Sequence, residues 1–400
     1  MTQPTQPTHP RRRRVSRLVI TLIVLLGLAF AAEVFLRADA GRAGTGALPI
    51  MQQIKMQESL GQFTYAPDPT LGALLAPARR DQIEKADFTY TLQTDHAGFP
   101  NRDPWPANVD VAVLGNSLII GPGVGFEGQF TTLLQQQLNG RTVLNLGVPG
   151  GGTEHLYRVY RKFGQTRNPK LVIAALWVTW DISNTFHFHE WLAERSTLDY
   201  TKYRMTYRQT HRESGQIESG QLARLRTSAG GLLGKSYLLR TLNAHIRPAL
   251  GPQALTESVE LPGGDVQYLA DREQERLATG FERAGVPNMK EIFFRPLEQL
   301  QSEVEAQGGR FVIVLIPCKE ELYAAKTYPE VLRAIQEVKG ELASRNLATL
   351  DLYPLFRQLG ATQALFYRLD MHLNEYGNRI VADAVAKWIA EEQVFGSTEG

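Results

Sequence analysis

The feature that most constrains this chain is a recurrence of short apolar, β-branched runs separated by segments of helical period. The runs are Val109 to Leu114, Thr142 to Asn145, Leu171 to Val178, Arg310 to Ile316 and Ala348 to Leu352. Between the first two, Phe130, Leu133, Leu134 and Leu138 stand at helical spacing within Glu127 to Leu138. Further helices are expected over Thr153 to Phe163, Met289 to Glu305 and Tyr328 to Ser344, and from Glu375 onward. A strand that is apolar at every position is covered on both faces, and strands alternating with helices call for a parallel sheet with helices on either side. The expected fold class is therefore α/β, a three-layer α/β/α sandwich with a central parallel sheet.

Within that pattern the first run ends abruptly in Gly115-Asn116-Ser117, and a Gly-rich loop and a helix-like segment come next. This puts Ser117 on a strand-to-helix turn, where a hydroxyl points into the crevice above the sheet and nearby backbone N–H groups face the same spot. Ser117 is a candidate nucleophile, although a lone Gly-x-Ser is equally a tight turn capping a helix. Near the C-terminus, Asp370 and His372 stand two residues apart just ahead of the last helix. Such a pair lets the carboxylate orient the imidazole while the imidazole faces a serine from another loop.

Three blocks, Leu114 to Val124, Asn145 to Thr153 and Asp370 to Gly377, together resemble the SGNH (GDSL-type) hydrolase superfamily. The likeness is greatest to its membrane-anchored, exported branch and spans residues 88–392. It implies a flavodoxin-like sheet order, a triad of Ser117, His372 and Asp370, and an oxyanion hole built on the N–H groups of Ser117 and Gly150. Two positions depart from the family pattern. Asn116 stands where the family usually carries Asp before the serine, so a local carboxylate is missing. Trp180, in Leu176-Trp-Val-Thr-Trp180-Asp181-Ile-Ser-Asn184, takes the place of the usual oxyanion Asn. Asn184 or a backbone N–H is the candidate replacement. The segment Pro317-Cys-Lys319-Glu320 resembles an Ile-Pro-x-Lys-Glu element of exported relatives linked to polysaccharide O-acetylation, and a surface ion pair of Lys319 is the competing reading.

Arg11 to Arg14 and Arg17 precede an apolar stretch over residues 15–35, near the length that spans a bilayer, and the basic flank is expected to stay cytoplasmic. The expected topology is a single-pass protein of the cytoplasmic membrane, with residues 1–14 as a tail inside and the rest facing the periplasm or cell exterior. A cleavable signal peptide, with Ala29-Phe-Ala31 as its small-residue site, is the rival. Residues 36–87 read as a juxtamembrane spacer and residues 88–395 as the catalytic domain, with Phe88 to Thr94 an edge strand or hairpin arm.

The pattern breaks over residues 186–286. From Glu194 to Arg247 this insertion carries ten Lys or Arg against four acids, with Tyr200, Tyr203 and Tyr207 among them. A basic lid over an anionic polymer and a solvated helical surface both fit it. His187 and His189 have ligand spacing on a strand, but no third and fourth metal ligand accompany them. A net charge of +2 gives no reason to expect nucleic acid as a partner, and the single cysteine, Cys318, excludes an internal disulfide. With no phosphate loop and no dinucleotide fingerprint, no cofactor is expected.

Three functions fit these residues. The first is an esterase removing small acyl groups, acetyl above all, from envelope or secreted carbohydrate. The second is an O-acyltransferase placing such groups on an exported polysaccharide. The third is a non-catalytic glycan-binding or assembly protein on the same scaffold.

Overall fold

The computed structural model describes residues 27, 28, 30, 31, 63–85, 87–194, 200, 202, 203, 257–269, 280, 281, 287–325 and 329–396. The expected tail, all but four helical residues of the expected membrane segment, and most of the insertion lie outside these residues. No helix among the described residues is long and apolar enough to cross a membrane. The chain divides into two units, and the one formed by Leu60–Ile217 and Ala254–Gly400 carries the α/β architecture.

Two antiparallel hairpins come first. Strands β1 (Tyr65–Asp68) and β2 (Gly72–Leu75) pair, as do β3 (Arg80–Glu84) and β4 (Thr89–Gln93). Leu75, Ile83, Tyr90 and Leu92 bury together against Ile120, immediately after the Ser117 turn. Strand structure therefore starts well ahead of residue 88, inside the segment read as a spacer, because alternate residues of these short strands find apolar cover on the main domain.

Then come β5 (Val111–Gly115), β6 (Val143–Gly147) and β7 (Leu171–Leu176), a small hairpin β8 (Glu257–Glu260) and β9 (Val266–Leu269), and finally β10 (Arg310–Leu315) and β11 (Thr349–Asp351). The main sheet runs β11-β10-β7-β5-β6 and every pairing in it is parallel. Counted within the sheet this is the flavodoxin-like order 2-1-3-4-5, whose direction of winding reverses between β5 and β7. At that switch point the connections leave to opposite sides and open a crevice beyond the strands' carboxyl ends. Ser117 comes directly after β5 there.

Alternate strand residues face opposite cores, as a buried parallel sheet requires. On one face Leu114, Ala174, Leu176, Ile313 and Leu315 meet Phe293, Leu297 and Leu300 of the helix Met289–Ala306. On the other, Val113, Ile173, Val312 and Val314 meet Phe130 and Leu134 of the helix Phe130–Gln137 and Val381 and Val385 of the helix Glu375–Glu391. Each of the Val, Leu, Ile and Phe side chains among them contributes about 1.5–3 kcal/mol when fully buried, so the two cores hold the sheet rigid beneath the crevice.

The run after Leu171 stays extended only to Leu176, because the Asp181 carboxylate accepts the Trp177 N–H at 2.7 Å and starts the helix Val178–Glu194. That helix carries Phe186 to Glu190, which corrects the strand reading of His187 and His189. Two residues along a helix stand roughly 200° apart rather than on one face. Among the described residues no group of three His, Cys, Asp or Glu is placed to hold a metal ion.

Helix contact also explains the third glycine of the Gly150 block. A Cβ on Gly152 would lie 2.4 Å from both the backbone nitrogen and the Oγ1 of Thr185, and Thr153 N donates to that same Oγ1 at 2.9 Å. Gly152→Ala is expected to destabilise the domain by about 1–3 kcal/mol through overpacking. An unchanged urea midpoint would refute the close approach.

Candidate active site

The turn that carries Ser117 is built by its neighbour. Asn116 caps the short helix Ser117–Ile120, its Oδ1 accepting from Leu118 N at 2.9 Å, and its Nδ2 donates to Asp181 Oδ1 at 2.7 Å. Asp181 is fully buried, and that burial pushes its carboxyl well above the usual range even though Asn116 and the Trp177 N–H donate to it. The carboxylate missing before the serine thus stands beneath it, on the neighbouring strand-to-helix turn. Asn145 holds the other side: its Nδ2 donates to the Ile119 carbonyl at 2.6 Å. Gly115 is required in between, since a Cβ there would sit 2.3 Å from Ile119 Cγ1 and 3.0 Å from the Ala175 carbonyl.

Across the crevice, His372 Nε2 lies 2.9 Å from Ser117 Oγ. Its Nδ1 is 2.5 Å from Asp370 Oδ1, and the same oxygen accepts the His372 backbone N–H at 3.0 Å. The structure therefore brings Ser117, His372 and Asp370 into one hydrogen-bonded line. Trp177, directly after β7, tilts against the imidazole with ring centres 5.6 Å apart. Asn374 caps the helix Glu375–Glu391 through Gly377 N, and its Nδ2 donates to the carbonyls of Ala364 and Phe366, which fixes the loop just beyond His372.

That loop is held from three further sides. Lys85 Nζ donates to Asp370 Oδ2 at 2.8 Å, Asp87 Oδ2 accepts the N–H groups of Leu369 and Asp370 at 2.6 Å each, and Lys319 Nζ donates to the carbonyls of Tyr367 and Arg368 at 2.8 Å each. The hairpin β8–β9 closes over it, with Tyr268 N donating to the Arg368 carbonyl at 3.0 Å. Burial alone would raise the Asp370 carboxyl, but His372 and Lys85 hold it well below the usual carboxylate range. Burial raises Asp87 and lowers Lys319 to about 8, the latter against the pull of Glu320, Asp87 and Asp370.

Lys319 is 1% exposed, which overturns the surface-pair reading. Cys318 is buried at the start of the helix Lys319–Tyr323, whose Glu321 accepts the Cys318 N–H at 2.8 Å. Gly150 stands in the turn after β6 with φ +68°, a conformation that suits glycine. Trp180 is half-buried and packs at 5.6 Å from Trp177. Asn184 is buried deeper in the helix Val178–Glu194 and its Nδ2 donates to the Gly151 carbonyl at 3.1 Å, so it tethers the glycine loop.

Sequence reasoning gave no role to Asp181, Lys85 or Asp87. For Asp181 a signal existed: Asn116 implied that a carboxylate had to come from elsewhere, and Asp181 lies in the block that should have held the oxyanion Asn. Lys85 carries no local signal, being 285 residues from its partner.

Residues 276–400 match the family described as "SGNH hydrolase-like domain, acetyltransferase AlgX". No curated protein matches the chain. Among solved structures, a putative lipolytic protein of the G-D-S-L family from Desulfitobacterium hafniense DCB-2 aligns at 10% identity and TM-score 0.35, over 70% of this chain and 99% of that one. The acetyl xylan esterase AlAXEase aligns at 13% and 0.35, over 70% and 98%. The lipase/acylhydrolase from Enterococcus faecalis aligns at 10% and 0.36, over 71% and 97%. Likenesses of this order carry no argument about the site.

Proposed function

We propose that this SGNH hydrolase-like chain is a serine acyl-ester enzyme, acting through Ser117, His372 and Asp370 on small acyl groups, acetyl above all, carried by envelope or secreted carbohydrate. The observation that carries the reading is the unbroken line Ser117 Oγ, His372 Nε2, His372 Nδ1, Asp370 Oδ1, with contacts of 2.9 and 2.5 Å.

Each step uses a group already in place. His372 Nε2 takes the Ser117 proton as Oγ adds to the ester carbonyl carbon, and Asp370 stabilises the imidazolium that results. Collapse of the tetrahedral adduct breaks the ester C–O bond, and the departing alkoxide leaves with the proton from His372. Water, activated in turn by His372, then attacks the acyl-serine, releasing the carboxylic acid and restoring Ser117. The N–H groups of Ser117 and Gly150 are assigned to the oxyanion. With Asn184 tethering the glycine loop through Gly151, its contribution is to hold Gly150 in place.

A second reading, O-acyl transfer, is supported by the match to a family whose description names an acetyltransferase. It differs in one step only: a sugar hydroxyl instead of water attacks the acyl-serine and keeps the acyl group as a new ester. Membrane anchorage through residues 15–35 and an exported active site belong to the same proposal.

Fluorophosphonate labelling of the folded protein tests the reading. Wild type is expected to label and Ser117→Ala not to. Unlabelled wild type would next be screened on acetylated glycans with and without a sugar acceptor, product ester separating transferase from esterase. A folded wild type that resists the label would sink the serine mechanism.

A further inference from the structure

Asp370 has two oxygens, and each has its own partner. Oδ1 is taken by the Nδ1 and the backbone N–H of His372, while Oδ2 accepts Lys85 Nζ at 2.8 Å. The Lys85 and Asp370 side chains are only 8% and 11% exposed, so this is a buried pair rather than a solvated one. Lys85 comes from the turn that joins β3 to β4, in the hairpin region that precedes the α/β core. The same turn supplies Asp87, whose Oδ2 holds the Leu369 and Asp370 N–H groups. Phe88, next in the turn, packs on Tyr367 with ring centres 4.4 Å apart and lies 5.4 Å from Lys85 Nζ. Lys85, Asp87 and Phe88 of the hairpin thus grip the loop that carries the base.

We propose that Lys85 is a positioning residue for the reaction, extending the line Ser117–His372–Asp370 to a fourth member supplied by the N-terminal hairpin. The inference rests on the serine reading. A carboxylate tied at one oxygen only is free to turn about its own axis and exchange oxygens at His372, and Lys85 removes that freedom. Its charge also acts. A cation beside Asp370 helps hold that carboxyl below its usual range and so keeps it charged opposite His372. The other titratable groups around Asp370 and His372 are Asp87 from the same turn, Tyr90 on β4, Lys319 and Glu320 beyond β10, and Tyr367 and Arg368 in the loop itself. All of these remain in a Lys85 variant.

The test is the second-order rate of fluorophosphonate labelling by the full chain between pH 5 and 9, which needs no knowledge of the natural ester. Lys85→Met is expected to slow labelling by about 10- to 100-fold, the scale of a small misplacement of a reacting group. It is also expected to move the acid limb of the profile to higher pH, because the positive charge beside Asp370 is lost. Lys85→Arg, which keeps a charged donor, should restore the limb. A Lys85→Met protein labelled at the wild-type rate with an unmoved limb overturns the proposal. Loss in both variants with the limb unmoved also overturns it, since that pattern belongs to packing alone. If Lys85→Met fails to fold, Lys85→Gln takes its place, and coincident limbs in the Gln and Arg variants overturn it equally. A folded wild type that does not label removes the serine reading and this inference with it, whereas a labelled wild type isolates the role of Lys85.

Discussion

Asp370→Asn is expected to lower turnover of an activated acetyl ester by about 10⁴-fold, the loss seen when the orienting carboxylate of such a line becomes an amide. The reason lies at His372 Nδ1. With Asp370 Oδ1 at 2.5 Å the proton belongs on Nδ1, leaving Nε2 free to accept from Ser117. An amide that presents its N–H there favours the opposite tautomer and removes the base. The same substitution strips Lys85 of its anion inside the domain. An uncompensated buried charge of this kind destabilises by about 3–5 kcal/mol. The pH dependence has a definite sign. Asp370 is held below its ordinary value of 3.8, so its stabilising contribution is present above that pH and is lost as the pH falls through the depressed folded value. The gap in urea midpoint between wild type and variant should therefore be full at pH 7 and shrink below about pH 4. A constant gap across that range, or a variant with wild-type turnover, would show that Asp370 is not the charged partner of His372.

The parts of this molecule that were legible in the sequence are those whose cause is local. Five apolar runs with helical spacing between them dictate a parallel sheet, because no other arrangement buries both faces of Leu171 to Leu176 or Phe311 to Leu315. The Ser117 turn was legible for the same reason, since Gly115 has no room for a side chain and Asn116 caps the short helix that begins at Ser117. Edges of elements were less so. Leu171 to Val178 reads as one apolar run, yet Asp181, four residues past Trp177, captures its N–H and bends the chain into a helix. That hydrogen bond is invisible to periodicity, and it moved His187 and His189 from a strand to a helix. The supports of the Asp370 loop were illegible altogether. Lys85 and Asp87 sit in a polar turn that looks like spacer, and their importance arises only when the hairpin folds back onto a loop from the far end of the chain.

Asn116→Asp offers the sharpest test of the residue beside the serine, because it installs the Asp usual in the superfamily that the sequence resembles and is nevertheless expected to harm this protein. In the native chain Asn116 Nδ2 donates to Asp181 Oδ1 at 2.7 Å. A carboxylate at position 116 would face a second carboxylate across that distance, inside a fully buried site whose acid already resists ionisation. Like charges so placed hold a proton between them, so the folded pair binds a proton more tightly than the unfolded chain does. The stability of the variant should then be nearest to wild type at low pH and fall as the pH rises, reaching a deficit of about 2–4 kcal/mol near pH 8. Asp181→Asn alone should lose about 1–3 kcal/mol, since an amide at 181 offers one acceptor oxygen where Asn116 Nδ2 and Trp177 N each donate. Combining the two exchanges the roles: the carboxylate stands at 116, still accepting Leu118 N, and the amide stands at 181, still accepting Trp177 N while donating across the gap. The double variant should therefore recover most of what either single change loses. Its coupling energy in a double-mutant cycle of urea midpoints should be favourable by more than about 1 kcal/mol. Additive losses would mean that Asn116 and Asp181 do not act as one unit, and that the buried carboxylate beneath Ser117 serves the helix start at Trp177 alone.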